Sequence, residues 1–282
     1  MTAASGDWLR VQRGDAPLIV SFPHTGTDIP AEIEARLVSP WLGRRDADWW
    51  VDRLYGFARD LGATTIRTGM SRTVIDVNRD PSGVSLYPGQ AVTELCPTTT
   101  FDGEALYRPG AAPANDEIVA RRTRWFDPYH LALEVEIARL RAAHGAVVLY
   151  DAHSIRSTIP RLFDGELPHF NIGDNSGRSC DARLTAAVEA VCDRSPFSRV
   201  TNGRFKGGSI TRGHGRPWDG AHAIQMELAC RSYIDEPAGP PTPETWPPAF
   251  DLDRAAAMTR ALTSVLQACL AIAPSLTTPE SA

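Results

Sequence analysis

Three apolar runs in this 282-residue chain each lead to side chains with chemistry of their own. Residues 74–80 read Val-Ile-Asp-Val-Asn-Arg-Asp, an expected strand ending in the pair Asn78-Arg79. An arginine at a strand end beside an amide side chain is suited to hold a carboxylate by two parallel hydrogen bonds. Residues 18–22 run to Pro23-His24, and residues 146–150 run to Asp151-Ala152-His153. Together the two strand-end histidines and the Asn-Arg pair describe a metal hydrolase that grips an acidic substrate.

A catalytic zinc takes three protein ligands of N or O type and keeps one position open. Two histidines therefore need a third partner, and Asp46, Asp48 and Asp52 cluster at the start of an expected helix over 48–61. Asp48 and Asp52, four residues apart, would share one helical face. Aspartates at a helix start are also favoured by capping and by the macrodipole. Capping is assigned to Asp46 and the ligand role to Asp48, with Asp52 left open. His24, among small residues and glycine, is either a ligand or a loop histidine bonded to backbone. For His153, Asp151 two residues earlier is either a partner orienting the ring or the cap of a turn.

Glu227 lies in an apolar run, Ala-Ile-Gln-Met-Glu-Leu-Ala over 223–229. A carboxylate there faces solvent from an edge strand or is buried for a purpose. In a metal site it would serve as general base and then as proton donor. Arg72 either faces the site, where it would stabilise an oxyanion, or is a surface charge. Arg204, Lys206, Arg212 and Arg216 decorate a Gly-rich loop over 203–220, with Arg212 assigned to a second substrate carboxylate. His214 and His222 read as structural, and His130, His144 and His169 have no partner spacing. The chain lacks a Gly-x-Ser-x-Gly elbow, a Walker loop, a Gly-x-Gly-x-x-Gly after a strand and a His-Glu-x-x-His helix. Cys96, in a proline-flanked loop, is the remaining nucleophile candidate.

The elements that must position these residues alternate. Strands are expected over 18–22, 64–67, 73–77, 147–151, 199–202 and 223–228. Helices are expected over 48–61, 115–143, 181–192 and 252–272, the last with Met258, Leu262, Val265, Leu266 and Cys269 at helical spacing. Such alternation favours an α/β fold, a mostly parallel (mixed) central sheet with helices on both faces. Ligands collect beyond the carboxyl ends of such strands. Residues 82–114 form an expected long ordered loop, rich in Gly, Pro and Thr. A single domain is expected over 1–282, with its core at about 15–272 and a flexible tail at 273–282.

A hydrophobic fraction of 43% and a charged fraction of 22% are ordinary for a soluble globular chain. The formal net charge of -5, with no basic run, argues against a nucleic-acid partner. Lysine is almost absent, and arginine carries nearly all the positive charge. The N-terminus lacks the regions of a signal peptide, and no apolar run approaches membrane-spanning length, so no membrane is expected. Five cysteines without a Cys-x-x-Cys read as free thiols in a reducing cytoplasm.

Longer stretches carry a resemblance. PLIVSFPHTGTDIP, DADWWVDRLY, SRTVIDVNRDPSGVSLYPGQ, CPTTTFDGEALYRPG, YDAHSIRSTIPRLFDGELP, NGRFKGGSITR and GRPWDGAHAIQMELA run in order over about residues 17–233. In these segments the chain resembles the N-formylglutamate amidohydrolases, or deformylases, of bacterial histidine degradation. That family is similar in fold to zinc carboxypeptidases and aspartoacylases. The resemblance implies one zinc ion, with His24 and His153 as ligands and Glu227 as base. It also implies that Asn78 and Arg79 clamp a substrate carboxylate and that Arg72 polarises the scissile carbonyl. It does not fix the acidic ligand. The implied reaction is hydrolysis of N-formyl-L-glutamate to formate and glutamate. The alternatives are the same chemistry on another N-acyl amino acid or a peptide C-terminus, or a non-catalytic protein that binds acidic ligands. The chain departs from the family pattern at Trp50, Gly213-His214 and Cys230.

Overall fold

The computed structural model describes residues 8–83 and 93–276. Seven strands form one sheet: β1 Leu9–Gln12, β2 Leu18–Phe22, β3 Thr64–Thr68, β4 Val147–Ile155, β5 Phe170–Gly173, β6 Arg199–Thr201 and β7 Ala221–Ala229. Their spatial order is β1-β3-β2-β4-β7-β5-β6. The pairs β2–β3, β2–β4, β4–β7 and β5–β6 are parallel, whereas β1–β3 and β5–β7 are antiparallel. The helices are α1 Ala31–Glu34, α2 Leu42–Arg45, α3 Val51–Leu54, α4 Asn115–Arg121, α5 Asp127–His144, α6 Ala182–Asp193, α7 Ser209–His214 and α8 Leu252–Ile272. The expected mixed α/β architecture is present.

The central strands show why the site lies where it does. Successive residues of a strand face opposite sides of a sheet. Leu18, Val20 and Phe22 of β2, Val148, Tyr150 and Ala152 of β4, and Ile224, Met226 and Leu228 of β7 share one face. They pack with Leu184, Val188, Met258, Leu262, Val265 and Leu266 of α6 and α8. The other face begins apolar, with Ile19, Val147, Leu149, Ala221 and Ala223 under Tyr129, Leu133, Ile137 and Leu140 of α5. Toward the carboxyl ends of the same strands it turns polar and buried, through Ser21, Asp151, His153, Gln225 and Glu227. Burying one Val or Leu contributes about 1.5–3 kcal/mol, so the apolar half of this face anchors the polar half.

Several expected elements differ. Residues 73–77 are not a strand: Val74 and Ile75 N–H both turn back onto the Ser71 carbonyl, and Arg79 N–H onto that of Asp76. Val74, Ile75 and Val77 are buried all the same, and a short apolar run reads alike as strand or as buried turn. β4 runs four residues past its expected end, so His153 lies inside the strand. The helix expected over 48–61 is broken into α3 and a 3-10 turn at Gly56–Arg59, because Trp50 takes a left-handed conformation at φ 67°. The helix expected over 115–143 is α4 and α5 joined by a π turn at Arg122–Phe126.

β1, missed in the sequence, alternates Leu-Arg-Val-Gln in the manner of a half-buried strand. α8 continues as a 3-10 turn over Ala273–Leu276 with Leu276 buried, so residues 273–276 are not part of a tail. Residues 252–276 are long and apolar enough to cross a membrane by composition, contrary to the expectation that no run approaches that length. One side of that helix is fully buried against α6 and the sheet. Residues 1–7 and 277–282, and residues 84–92 of the expected loop, lie outside the described residues.

Candidate active site

His24 sits just past the end of β2, and His153 inside β4, with the two rings 4.8 Å apart. Their Nδ1 atoms are 3.1 Å from each other, and lie 3.6 Å (His24) and 3.0 Å (His153) from Asp48 Oδ2. Ligand atoms about 2.1 Å from a tetrahedral ion stand about 3.4 Å apart, so this triangle has the size that one ion requires. All three side chains are buried. Two imidazoles and a carboxylate without a thiolate form the donor set of a catalytic zinc site, with one position left for water or substrate. The residues present fit the ion.

The other nitrogen of each ring is fixed from behind. His24 Nε2 donates to Asp76 Oδ1 at 2.7 Å, and His153 Nε2 to Asp151 Oδ2 at 3.0 Å. Ionised carboxylates only accept, so both rings carry hydrogen on Nε2, and Nδ1 is the nitrogen that each presents to Asp48. Asp151 is itself held by the Ser21 hydroxyl at 2.9 Å. Burial alone would raise Asp48, but the histidines reverse this and hold it below the usual carboxylate range. Burial likewise works against charge on His153, and Asp151 and Asp48 outweigh it, so its pKa is raised.

Among the clustered aspartates, Asp48 alone reaches the histidines. Its N–H bonds to the His24 carbonyl at 2.9 Å, and Oδ2 accepts from Ser154 N–H at 3.2 Å. It lies between α2 and α3, so the shared helical face expected with Asp52 does not exist. Asp52 pairs with Arg67 at 3.0 Å. Asp46 accepts from Phe101 N–H at 2.6 Å instead of capping a helix.

Glu227 is the register partner of His153 across the parallel β4–β7 pair, and Gln225 that of Asp151. Burial pushes the Glu227 carboxyl up to about 8, against the pull of the His153 and Arg72 charges, with Asp48 and Asp151 adding to the rise. A divalent cation beside it would favour the ionised form.

The turn segment after Ser71 gathers the remaining charges around Asp76. This carboxylate accepts from Arg72 Nη2 at 2.6 Å, from Asn78 N–H at 2.9 Å and from His24. Arg79 Nε lies 3.6 Å from its second oxygen. Burial would raise Asp76, but His24, Arg72 and Arg79 bring it well below the ordinary carboxylate value. Arg72, 4.8 Å over the Phe101 ring, also approaches Asp48 at 3.5 Å. Asn78 accepts from Ile210 N–H through Oδ1 at 2.9 Å and places its amide nitrogen 3.0 Å from His153 Nε2. Arg79 also donates to Thr93 at 3.0 Å. Asp76 is not among the site residues expected from the sequence, although a carboxylate between apolar residues is a signal there.

His24, Arg72, Asn78, Arg79, His153 and Glu227 line one cleft. Thr93, Phe101, Ile155, Leu162, Arg204, Phe205 and Gln225 line it as well. Arg212, expected there, does not line the cleft: it sits in α7, where its Nε donates to the Gly207 carbonyl at 2.8 Å. Arg204 is among the lining residues, with its Nε bonded to the Leu162 carbonyl at 2.8 Å. Cys96 is buried, and burial pushes its thiol up to about 11, which is the opposite of activation.

Residues 16–234 match the family model described as N-formylglutamate amidohydrolase. The chain belongs to the N-formylglutamate amidohydrolase family. It is 45% identical over 264 residues to an N-formylglutamate deformylase of Pseudomonas aeruginosa, covering 93% of this chain and 96% of that protein. A Pseudomonas putida protein of the same name is 44% identical over 229 residues, 81% of this chain and 85% of its own. Among solved structures, an N-formylglutamate amidohydrolase of Ralstonia eutropha superposes with a TM-score of 0.75 at 22% identity, covering 95% of this chain and 98% of that one. At that identity the likeness concerns the fold. Trp50, Gly213, His214 and Cys230, the places singled out in the sequence, are not among the residues that line the cleft. Trp50 donates to the Pro248 carbonyl at 2.9 Å and packs on Phe250, Gly213 is exposed, and Cys230 is buried after β7.

Proposed function

We propose that this family member hydrolyses the formyl amide of N-formyl-L-glutamate to formate and L-glutamate, in the cytoplasm and as a step of histidine breakdown. The observation that carries the reading is the triangle of His24 Nδ1, Asp48 Oδ2 and His153 Nδ1, with Glu227 opposite His153 in register. Zinc is the ion that His24, Asp48 and His153 would hold there. It would supply Lewis acidity, which lowers the pKa of water toward about 7. Asn78 and Arg79 bind one substrate carboxylate, and Arg204 provides the cation for the second. Arg72, oriented by Asp76, donates to the formyl oxygen as negative charge develops there. The Glu227 carboxylate takes a proton from the attacking water and delivers it to the departing amine nitrogen. Phe101, Ile155, Leu162 and Phe205 exclude bulk water and strengthen these electrostatic contacts.

The test is formate release from N-formyl-L-glutamate by purified protein, before and after chelation and with zinc restored. Activity lost on chelation and regained with zinc supports substrate and metal together. A zinc-loaded protein inactive on this substrate and active on another N-acyl amino acid would overturn the substrate. Activity that survives complete removal of metal would overturn the metal.

A further inference from the structure

Behind the cleft, two histidines that the proposed chemistry does not use join α5 and α7. His130 Nε2 bonds to the Val77 carbonyl at 2.8 Å, and His130 Nδ1 faces His214 Nε2 at 2.8 Å. His214 Nδ1 meets Glu134 Oε1 at 2.7 Å, and Arg216 holds both oxygens of that carboxylate at 2.9 and 2.8 Å. The two rings stack at 5.0 Å, with Phe126 on the far side of His130 at 4.2 Å. The other end of α7 grips the next residue of the turn: Ser209 N–H bonds to the Asn78 carbonyl at 3.1 Å, and Ile210 N–H to its Oδ1 at 2.9 Å. The short helix is therefore tied at both ends to residues 77 and 78.

Counting hydrogens fixes the charge of this string. A carbonyl only accepts, so His130 Nε2 carries a hydrogen. The Glu134 carboxyl, held at about 2 by the His214 and Arg216 hydrogen bonds, is ionised, so His214 Nδ1 carries another. The facing nitrogens are at hydrogen-bond distance, which requires a third hydrogen between them. Three hydrogens on four ring nitrogens make one shared positive charge. Burial, with His214 adding, pushes His130 down to about 4.

We propose that His130 and His214 are positioning residues for the substrate clamp. Their string from Glu134 to the Val77 carbonyl, closed through α7 onto Asn78, holds Asn78-Arg79 in its binding geometry while the rings share one proton. The inference rests on the reading of Asn78-Arg79 as that clamp. Loss of the shared proton turns two lone pairs toward each other and loosens Val77. The charged groups acting on the pair are Asp127 on α5 and Asp151 on β4 toward His130, and Glu134 toward His214. Arg216 and, through it, Asp219 close the outer side.

The experiment is steady-state kinetics of the zinc-loaded enzyme on N-formyl-L-glutamate across pH, with zinc content measured for each variant. His130→Phe keeps the stacking and removes both hydrogen bonds, so KM should rise about tenfold with kcat changed less than about twofold. His130→Gln, which can donate to Val77 and accept from His214, should recover most of that loss. Glu134→Gln, at a half-exposed position, removes the anion that favours the shared proton. It should move the alkaline rise of KM to lower pH by about one unit, and it tests the string even if His130→Phe does not fold. Arg79→Ala separates the two readings. If it leaves KM unchanged, the clamp itself is wrong and the inference falls with it. If it raises KM while His130→Phe leaves KM unchanged and Glu134→Gln leaves the profile unmoved, the clamp stands and the positioning role is overturned.

Discussion

His153 and Glu227 stand opposite each other in the parallel register of β4 and β7, so the strand that holds a metal-ligand candidate also fixes the place of the proposed base. Both are buried at the polar end of a sheet face whose other end is packed with Val147, Leu149, Ala221 and Ala223. The spacing between these two residues is thus set by backbone hydrogen bonds between two central strands. Side-chain flexibility has little part in it.

Removing the acid from that pair should separate binding from chemistry. Glu227→Gln is expected to lower kcat by about 10²–10⁴-fold with KM within a few-fold of the parent. Zinc content, measured on the same sample, should be unchanged. Near-normal turnover would remove Glu227 from the mechanism.

Asp76 touches a metal-ligand candidate, a cationic donor and the clamp backbone at once. Asp76→Asn keeps the shape and removes the charge that holds His24 and Arg72. Zinc affinity should fall about 10–100-fold, as read by competition with a chromogenic chelator. An unchanged affinity would show that His24 needs no partner on Nε2.

Gly208 packs directly on the Asn78 amide group, and a methyl there would collide with it. Gly208→Ala should raise KM severalfold while thermal stability and zinc content stay near the parent values. A parent-like KM would mean that Asn78 contributes little to binding.

Arg204 lines the cleft and Arg212 does not. Arg204→Ala should therefore raise KM for N-formyl-L-glutamate at least about tenfold, and much less for an N-formyl amino acid with a neutral side chain. Arg212→Ala should leave that ratio alone. The opposite pattern would return the second carboxylate to Arg212.

His130 gives a stability prediction with a definite sign. Its folded pKa, near 4, lies below the ordinary histidine value of 6.5, chiefly through burial. Its contribution is fully present above about pH 6.5 and is lost as pH falls toward 4, at most about 3.4 kcal/mol. Urea midpoints of the wild type should fall over that window more steeply than those of His130→Phe. Parallel curves would show that His130 takes up no extra proton on unfolding.

Residue types and short spacings carried a good part of this molecule in the sequence itself. The runs at 18–22 and 64–67 were legible as short stretches of strand length, and the 252–272 helix and the near-continuous helix after Asn115 as long stretches of helical pattern. The two histidines, Arg72 and Glu227 were legible as polar groups set in or beside apolar runs, and the Asp151–His153 partnership as an i, i+2 pair on one strand face. Longer motifs carried the family. Tertiary structure decided what depends on contacts distant in sequence. Among Asp46, Asp48 and Asp52, only a left-handed Trp50 and a backbone bond from Asp48 to His24 single out Asp48. Between Arg204 and Arg212, the choice rests on how the loop after β6 folds over the cleft. Asp76 looked like one more acid in an apolar stretch, and its role appears only where His24, Arg72 and Asn78 converge on it. Local sequence sets which faces are buried, whereas a site assembled from segments far apart in the chain is set by the packing that brings them together.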